Sequence, residues 1–338
     1  MPRPPHAALL ALAVLLAALA GLGVAGAVAG SEAGATASPG TPAVTPSASP
    51  APEPAADDAT LSIADAVILG VVEGLTEYLP VSSTGHLLLA TEILGLTDTE
   101  QEKAAADAYV IVIQVGAIIA VLVLYWRRVW SMVLGILGRD PAGRRVAVAL
   151  IASVIPAVVI GVLGEQLLKD YLFDLWPITA AWLVGGVVIL AVSRHDVRSG
   201  HDSNEGDALE QLTARRALII GLLQCVAMWP GVSRSLITIL GGRLVGLSTQ
   251  AAVEYSFLLG LVTLTGASVY ETAKEGGAII DTLGVVAPVV GIVAAFVAAA
   301  LSIKWMVGYL NRHSLAIFGW YRIGLAVVVA ALLIAEVL

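Results

Sequence analysis

The chain has 338 residues, of which 58% are hydrophobic and only 13% charged, and its mean hydropathy is +0.89. Soluble domains carry about 25% charged residues, so a soluble globular class is excluded and a polytopic α-helical membrane protein is expected; strand-period alternation is absent, which excludes a β-barrel. The net charge of −8 is no partner signal, because acidic and basic residues are segregated by loop, and nucleic acid is not an expected partner. One cysteine, Cys225, allows no internal disulfide and no thiol metal site, and in its apolar run it reads as packing.

Residues 7–29 form an apolar run behind Arg3. Segment 1–30 is either a signal peptide, with Ala25, Ala27 and Ala29 at A-x-A spacing, or a retained N-terminal membrane anchor of spanning length. Residues 31–60 are dominated by Ala, Pro, Ser and Thr and cannot bury a core, so they read as a disordered linker outside the membrane.

The membrane domain occupies 61–338. Full spans are expected at 108–126, 146–168, 177–193, 251–270, 283–303 and 315–337. Regions 61–96 and 215–247 are apolar but interrupted, and Pro80 and Pro230 remove backbone donors at their centres. Each reads as a re-entrant helix hairpin with its polar break at the tip, since irregular backbone at membrane depth is tolerated where protein or water surrounds it.

A shift of 151 sets LGVVEGLTEYLPVSST on IGLLQCVAMWPGVSRS, placing Glu73 on Gln224, Ser82 on Ser233 and Ser83 on Arg234. Each hairpin precedes three spans, so the second copy is inverted relative to the first. The expected fold is therefore all-α, six full spans plus two re-entrant hairpins in an inverted repeat, with halves at 61–193 and 215–337 and an extra N-terminal apolar segment.

The charges set the orientation. Arg127, Arg128, Arg139, Arg144 and Arg145 make 127–145 a cytoplasmic loop, and Arg194, Arg198, Arg215, Arg216, Lys304 and Arg312 flank two more. Loops 97–107 and 271–282 are acidic on balance and fall outside. The first hairpin then dips from outside and the second from the cytoplasm. Trp126, Trp130, Trp176 and Trp305 fall where an interfacial belt is expected.

Ionisable groups at bilayer depth cost roughly 2.5–3.5 kcal/mol each on insertion scales and persist mainly where they serve a function. The stretch EGLTEYLPVSSTGH (73–86) holds Glu73, Glu77, Ser82, Ser83, Thr84 and His86. Two carboxylates four apart share a helix face about 5–6 Å apart, and a hard divalent cation, Mg2+ or Ca2+, completed by phosphate oxygens would relieve their repulsion. An ion pair with an arginine does so equally.

His86 is the one histidine of five inside a membrane segment and suits acid–base work. Ser83 is a candidate nucleophile, Ser82 a ligand or cap. In WPGVSRSLIT (229–238), Arg234 stands among Ser233, Ser235 and Thr238 at a helix start, a phosphate clamp. Gln114 and Gln224 are supporting groups, Glu254 and Tyr255 support the hairpins, and Arg322 reads as snorkelling to the cytoplasmic edge.

LGVVEGLTEYLPVSSTGH and PGVSRSLIT strongly resemble the two signatures of the bacterial undecaprenyl-diphosphate phosphatase (bacitracin-resistance protein) family, with further similarity in IVIQVGAIIAVLVLY, EYSFLLG and NRHSLAIFGWYRIGL. The resemblance covers 61–338. It implies metal-assisted hydrolysis of undecaprenyl diphosphate at a site open to the extracytoplasmic side of a bacterial plasma membrane. Carried over by motif, the catalytic positions are Glu73, Glu77, Ser83, His86 and Arg234, with Glu73 and Glu77 also the metal pair. Ser82, Thr84, Ser233, Ser235 and Thr238 bind substrate, a polyprenyl diphosphate lipid in the bilayer. Attack by Ser83 and attack by activated water both remain open, as does a homodimer. The alternative of another class is a transporter or flippase of undecaprenyl phosphate, which the inverted repeat alone would suit.

Overall fold

The computed structural model describes residues 61–97, 99–199, 205–283 and 285–336; the expected signal or anchor segment 1–30 and the linker 31–60 lie outside them. The described residues form eleven α-helices and no strand. They are α1 (Ile63–Thr76), α2 (Ser83–Ile93), α3 (Glu100–Leu124), α4 (Trp126–Ile136), α5 (Pro141–Leu172), α6 (Leu175–Ser199), α7 (Ala214–Gln224), α8 (Arg234–Leu244), α9 (Thr249–Leu283), α10 (Val286–Leu310) and α11 (Ala316–Ile334). Helices α3, α5, α6, α9, α10 and α11 are long and apolar enough to cross a bilayer. The six expected spans are therefore present, and the chain is a multi-pass membrane protein. Their outward faces are apolar: Val289, Val293, Val297 and Leu301 form an exposed stripe along α10.

Three stretches read as loops are helical. The acidic residues from Glu100 belong to the first turns of α3, because Thr99 and Glu102 form a capping box: Thr99 Oγ1 accepts from the Glu102 N–H at 3.1 Å, and Glu102 Oε2 accepts from the Thr99 N–H at 3.0 Å. The basic stretch contains the amphipathic α4, which buries Val129, Met132 and Val133. Asp140 then caps α5, accepting from the Ala142 and Gly143 N–H groups at 3.0 Å each and from Ser131 Oγ at 2.6 Å. Those donors, Ser131 first, hold its carboxyl below the usual range. Third, α9 continues to Leu283, through the expected loop 271–282.

The internal repeat appears in the backbone at the expected shift. Ser62 caps α1 and Thr213 caps α7; α2 spans 83–93 and α8 spans 234–244. Ser82 and Ser233 have φ of 75° and 77°, and Gly95 and Gly246, past the ends of α2 and α8, also have positive φ. All four pairs are 151 apart. Packing is exchanged between halves: α1 lies along α10 while α7 lies along α5, and the equivalent spans pack on each other, α3 on α9 and α6 on α11.

Lipid supplies no hydrophobic drive between helices, so close approach of small residues must hold them. Seam α1–α10 does this with Gly70 and Gly74 against Gly291, Ala295, Ala298 and Ala299. Ser302 Oγ donates to Gly74 O at 3.0 Å, and Tyr109 OH donates to Ala66 O at 2.9 Å. A Cβ on Gly74 would stand 2.7 Å from Ala298 Cβ and 2.8 Å from Ala299 N, whereas one on Gly324 meets nothing within 4 Å. Gly74→Ala is therefore expected to cost about 1–3 kcal/mol, read as a lowered Tm in detergent, with Gly324→Ala unchanged or slightly stabilised. Equal Tm values would show that the seam is not tight.

Candidate active site

Two interrupted helix pairs face each other in the interior. In the first, α1 stops at Thr76, residues 77–82 turn, and α2 starts at Ser83; Pro80 has no N–H to continue the helix and keeps Leu79 out of helical geometry. In the second, α7 tightens into a 3-10 turn at Cys225–Met228, then Pro230 and Gly231 (φ 90°) redirect the chain to α8. Ser82 and Ser233, immediately before the second helix of each pair, hold positive φ without being glycine. Such residues cost of the order of 1–3 kcal/mol and persist where the surroundings over-determine them.

A short chain of polar contacts joins the breaks. Arg234 Nη2 donates to Glu77 Oε1 at 2.5 Å, and Ser83 Oγ donates to Glu77 Oε2. Arg234 Nη1 donates to Ser256 O at 3.0 Å, and its guanidinium lies 5.6 Å from the Tyr78 ring centre. Ser235 Oγ donates to Leu79 O at 2.8 Å, tying α8 to the first break. The arginine that the repeat supplies thus neutralises Glu77 across 157 positions of sequence.

A cavity of about 350 Å³ opens on this chain of contacts. Glu77, Ser82, Ser83, Thr84, Ser233 and Arg234 line it with Gln114 and Gln224, and its apolar lining includes Ala157, Met228, Trp229, Leu264 and Ala267. Six of the ten expected site residues therefore meet at one surface. Glu73 lies behind it, 1% exposed, with Oε1 lacking a protein partner; Tyr78 OH, Gln224 Oε1 and Arg234 Nε are buried and equally unpartnered. Buried polar atoms without partners are rare and call for explanation, and three of these four residues (Glu73, Tyr78, Arg234) belong to one charged cluster.

Ser235, Thr238 and His86 lie outside the cavity lining and make hydrogen bonds to protein. Ser235 bonds to Leu79 O and to Ser233 Oγ, while Thr238 Oγ1 donates to Arg234 O at 2.9 Å and bonds Ser256 Oγ at 2.7 Å. His86 does not line the cavity. Its Nδ1 lies 2.6 Å from Ser82 O and its Nε2 2.8 Å from Tyr321 OH. A carbonyl can only accept, so Nδ1 carries the proton and Nε2 accepts from the tyrosine.

Arg322 departs most from expectation. Instead of snorkelling to an edge it is fully buried, 0% exposed, donating to Pro80 O (3.2 Å), Gly231 O (2.7 Å), Ala181 O (2.9 Å) and Trp182 O (3.4 Å). The reason is local: Gly185 has no side chain, so the guanidinium lies on α6 (a Cβ there would meet Arg322 Cζ at 2.7 Å), and the interrupted helices leave carbonyls that need donors. Gly260 makes the same kind of seat for Arg234, 2.5 Å from where a Cβ would stand. Sequence reasoning missed Ser256 and Gly260; the signal was their spacing of four on α9. Glu254 pairs with Arg128 at 2.6 Å rather than with a hairpin, and Tyr255 OH donates to Ala149 O at 2.9 Å.

Among the described residues no three His, Cys, Asp or Glu gather as a metal site. The donors around the cluster are all oxygens, and Glu73 Oε1 is free of protein partners, which suits a hard cation in kind.

The chain is 46% identical over 266 residues to the undecaprenyl-diphosphatase of Sorangium cellulosum, covering 78% of this chain and 84% of that protein. It is 42% identical over 274 residues to that of Acidovorax ebreus and 43% over 272 residues to that of Cereibacter sphaeroides, each covering 80% of this chain and 96% of the relative. Residues 66–328, which include both breaks, α6 and α11 nearly to its end, match the family Bacitracin resistance protein BacA, and the chain belongs to that family.

Proposed function

We propose that this protein hydrolyses undecaprenyl diphosphate to undecaprenyl phosphate and inorganic phosphate, recycling the lipid carrier of cell-wall synthesis and thereby conferring bacitracin resistance. The carrying observation is the line Ser83–Glu77–Arg234 at the cavity: a hydroxyl on a carboxylate, and a guanidinium on the same carboxylate. Family membership and the names of the relatives support the same reading. They do not favour transport of the monophosphate lipid.

In the proposed mechanism Ser83 Oγ attacks the terminal phosphorus as its proton passes to Glu77 Oε2, already its hydrogen-bond acceptor. The bond from phosphorus to the bridging oxygen breaks, and undecaprenyl phosphate leaves with that oxygen and its electron pair. Water then attacks the phosphoserine; Ser83 recovers its proton from Glu77, inorganic phosphate departs, and the second proton of the water goes to solvent. Arg234, which lines the cavity, offsets charge on the transferring phosphoryl group. The apolar wall at Ala157, Met228, Trp229 and Leu264 takes the first prenyl units. His86, with both nitrogens engaged, holds the Ser82 turn rather than moving substrate protons.

Glu73 and Glu77 would hold a divalent cation, Mg2+ or Ca2+, which when bound supplies positive charge against the diphosphate. The two breaks are re-entrant tips in this reading: α1 has 14 residues and α2 has 11, about 21 and 16 Å at 1.5 Å per residue, short of the roughly 30 Å hydrocarbon core. With Arg127 on α4, Arg139 after it, and Arg144 and Arg145 in the first turns of α5 all exposed, the positive-inside rule assigns that end to the cytoplasm and the site to the outer side of the plasma membrane.

Purified protein in detergent should release phosphate from a polyprenyl diphosphate. Ser83→Ala is expected to abolish release, and Arg234→Lys to lower kcat by about 10²–10³-fold; wild-type kcat in Ser83→Ala would remove the serine from the mechanism. Chelation with EDTA should stop turnover, and added Mg2+ or Ca2+ should restore it. Full activity after chelation would remove the metal.

A further inference from the structure

Four consecutive carbonyls of the first break, Leu79 to Ser82, are each held by a side chain from elsewhere. Ser235 Oγ takes Leu79 O at 2.8 Å, Arg322 Nη1 takes Pro80 O at 3.2 Å, Trp182 Nε1 takes Val81 O at 3.0 Å, and His86 Nδ1 takes Ser82 O at 2.6 Å. The His86 ring is itself held by Tyr321, through the 2.8 Å hydroxyl bond and by parallel stacking with centroids 5.7 Å apart. Arg322, the next residue on α11, also takes Gly231 O of the second break at 2.7 Å. One dipeptide therefore reaches both breaks: Arg322 directly, Tyr321 through His86.

No carboxylate pairs with Arg322 among the described residues, and each of its hydrogen bonds ends on a main-chain carbonyl of a break or of α6. A guanidinium placed so forgoes an ion pair and instead fixes backbone, a task its planar fork of five donors performs and a lysine ammonium cannot. The atoms fixed lie one to three residues from Ser83 and three residues from Arg234, the two groups that meet on Glu77. We infer that Tyr321 and Arg322 are positioning residues for the hydrolysis: from α11 they hold the two breaks in the register that puts Ser83 and Arg234 on the same carboxylate, with Arg322 acting on both breaks and Tyr321 acting through His86 on the Ser82 turn.

This rests on placing the reaction at Ser83, Glu77 and Arg234, so Ser83→Ala runs beside the test variants. Phosphate release from a polyprenyl diphosphate is measured with the full chain in detergent, together with Tm. Displacement of reacting groups by about 1 Å costs on the order of 10²-fold in rate. Arg322→Lys should lower kcat by about that factor with KM little changed. Tyr321→Phe, which deletes one hydroxyl on a half-exposed ring, should lower kcat about tenfold at unchanged Tm and KM.

Because Tyr321 acts through His86, Tyr321→Phe should have no further effect in a His86→Ala background, the signature of coupled residues. A merely structural tyrosine would shift Tm and add to the His86 loss. If Ser83→Ala is inactive while Tyr321→Phe and Arg322→Lys keep wild-type kcat, the positioning role is overturned and the site stands. Should Arg322→Lys fail to fold, the Tyr321–His86 cycle decides: additive losses overturn the inference, and a vanishing second effect supports it. Full activity in Ser83→Ala would instead displace the site itself.

Discussion

A helix that stops in a packed interior leaves carbonyls and amides without helical partners, and each buried group left unsatisfied costs several kcal/mol. The structure depends on how that constraint is met at the breaks after Thr76 and Gln224. At the first, Ser235, Arg322, Trp182 and His86 supply a donor to each carbonyl from Leu79 to Ser82. These donors come from α8, α11, α6 and α2, so satisfying the break draws four helices to one point. The irregular backbone is thereby an organising centre of the fold.

The electrostatics follow from the same meeting. A buried carboxylate at Glu77 without a partner would be expensive, and the repeat provides Arg234 at the position equivalent to Ser83. Removing one member of such a buried pair costs more than the pair contributes, because an uncompensated charge remains. The pair is therefore better understood as registering the two breaks than as a source of stability. The hydroxyl on the same carboxylate, at the wall of the cavity, turns that register into a site with chemistry.

Much of this was legible in the sequence. Composition and span length gave six crossings; Pro80 and Pro230 marked the interruptions; the shift of 151 placed Ser82 on Ser233, and both carry the same positive φ. Glu77, Ser83 and Arg234 stand out in the sequence as costly polar groups within the two interrupted motifs, and the structure brings them together. Misreadings arose where an isolated chain gives no tertiary information. An arginine near a helix end normally snorkels, and only the approach of Gly185 and two broken helices gives Arg322 a buried seat. Nothing in the sequence places Tyr321 beside His86, so that contact was not legible either. By charge the acidic and basic stretches resemble loops, but the capping box at Thr99 and the apolar spacing of α4 make them helical.

The central claim is that Ser83, activated by Glu77 and faced by Arg234, takes the phosphoryl group. Rapid acid quench during turnover of a polyprenyl diphosphate, followed by peptide mass spectrometry, tests it most directly. The expected result is a phosphoryl group on the peptide carrying Ser83, rising and falling with phosphate release. Undiminished phosphate release with no phosphoserine at any quench time, or a phosphoryl group on a different residue, would contradict it.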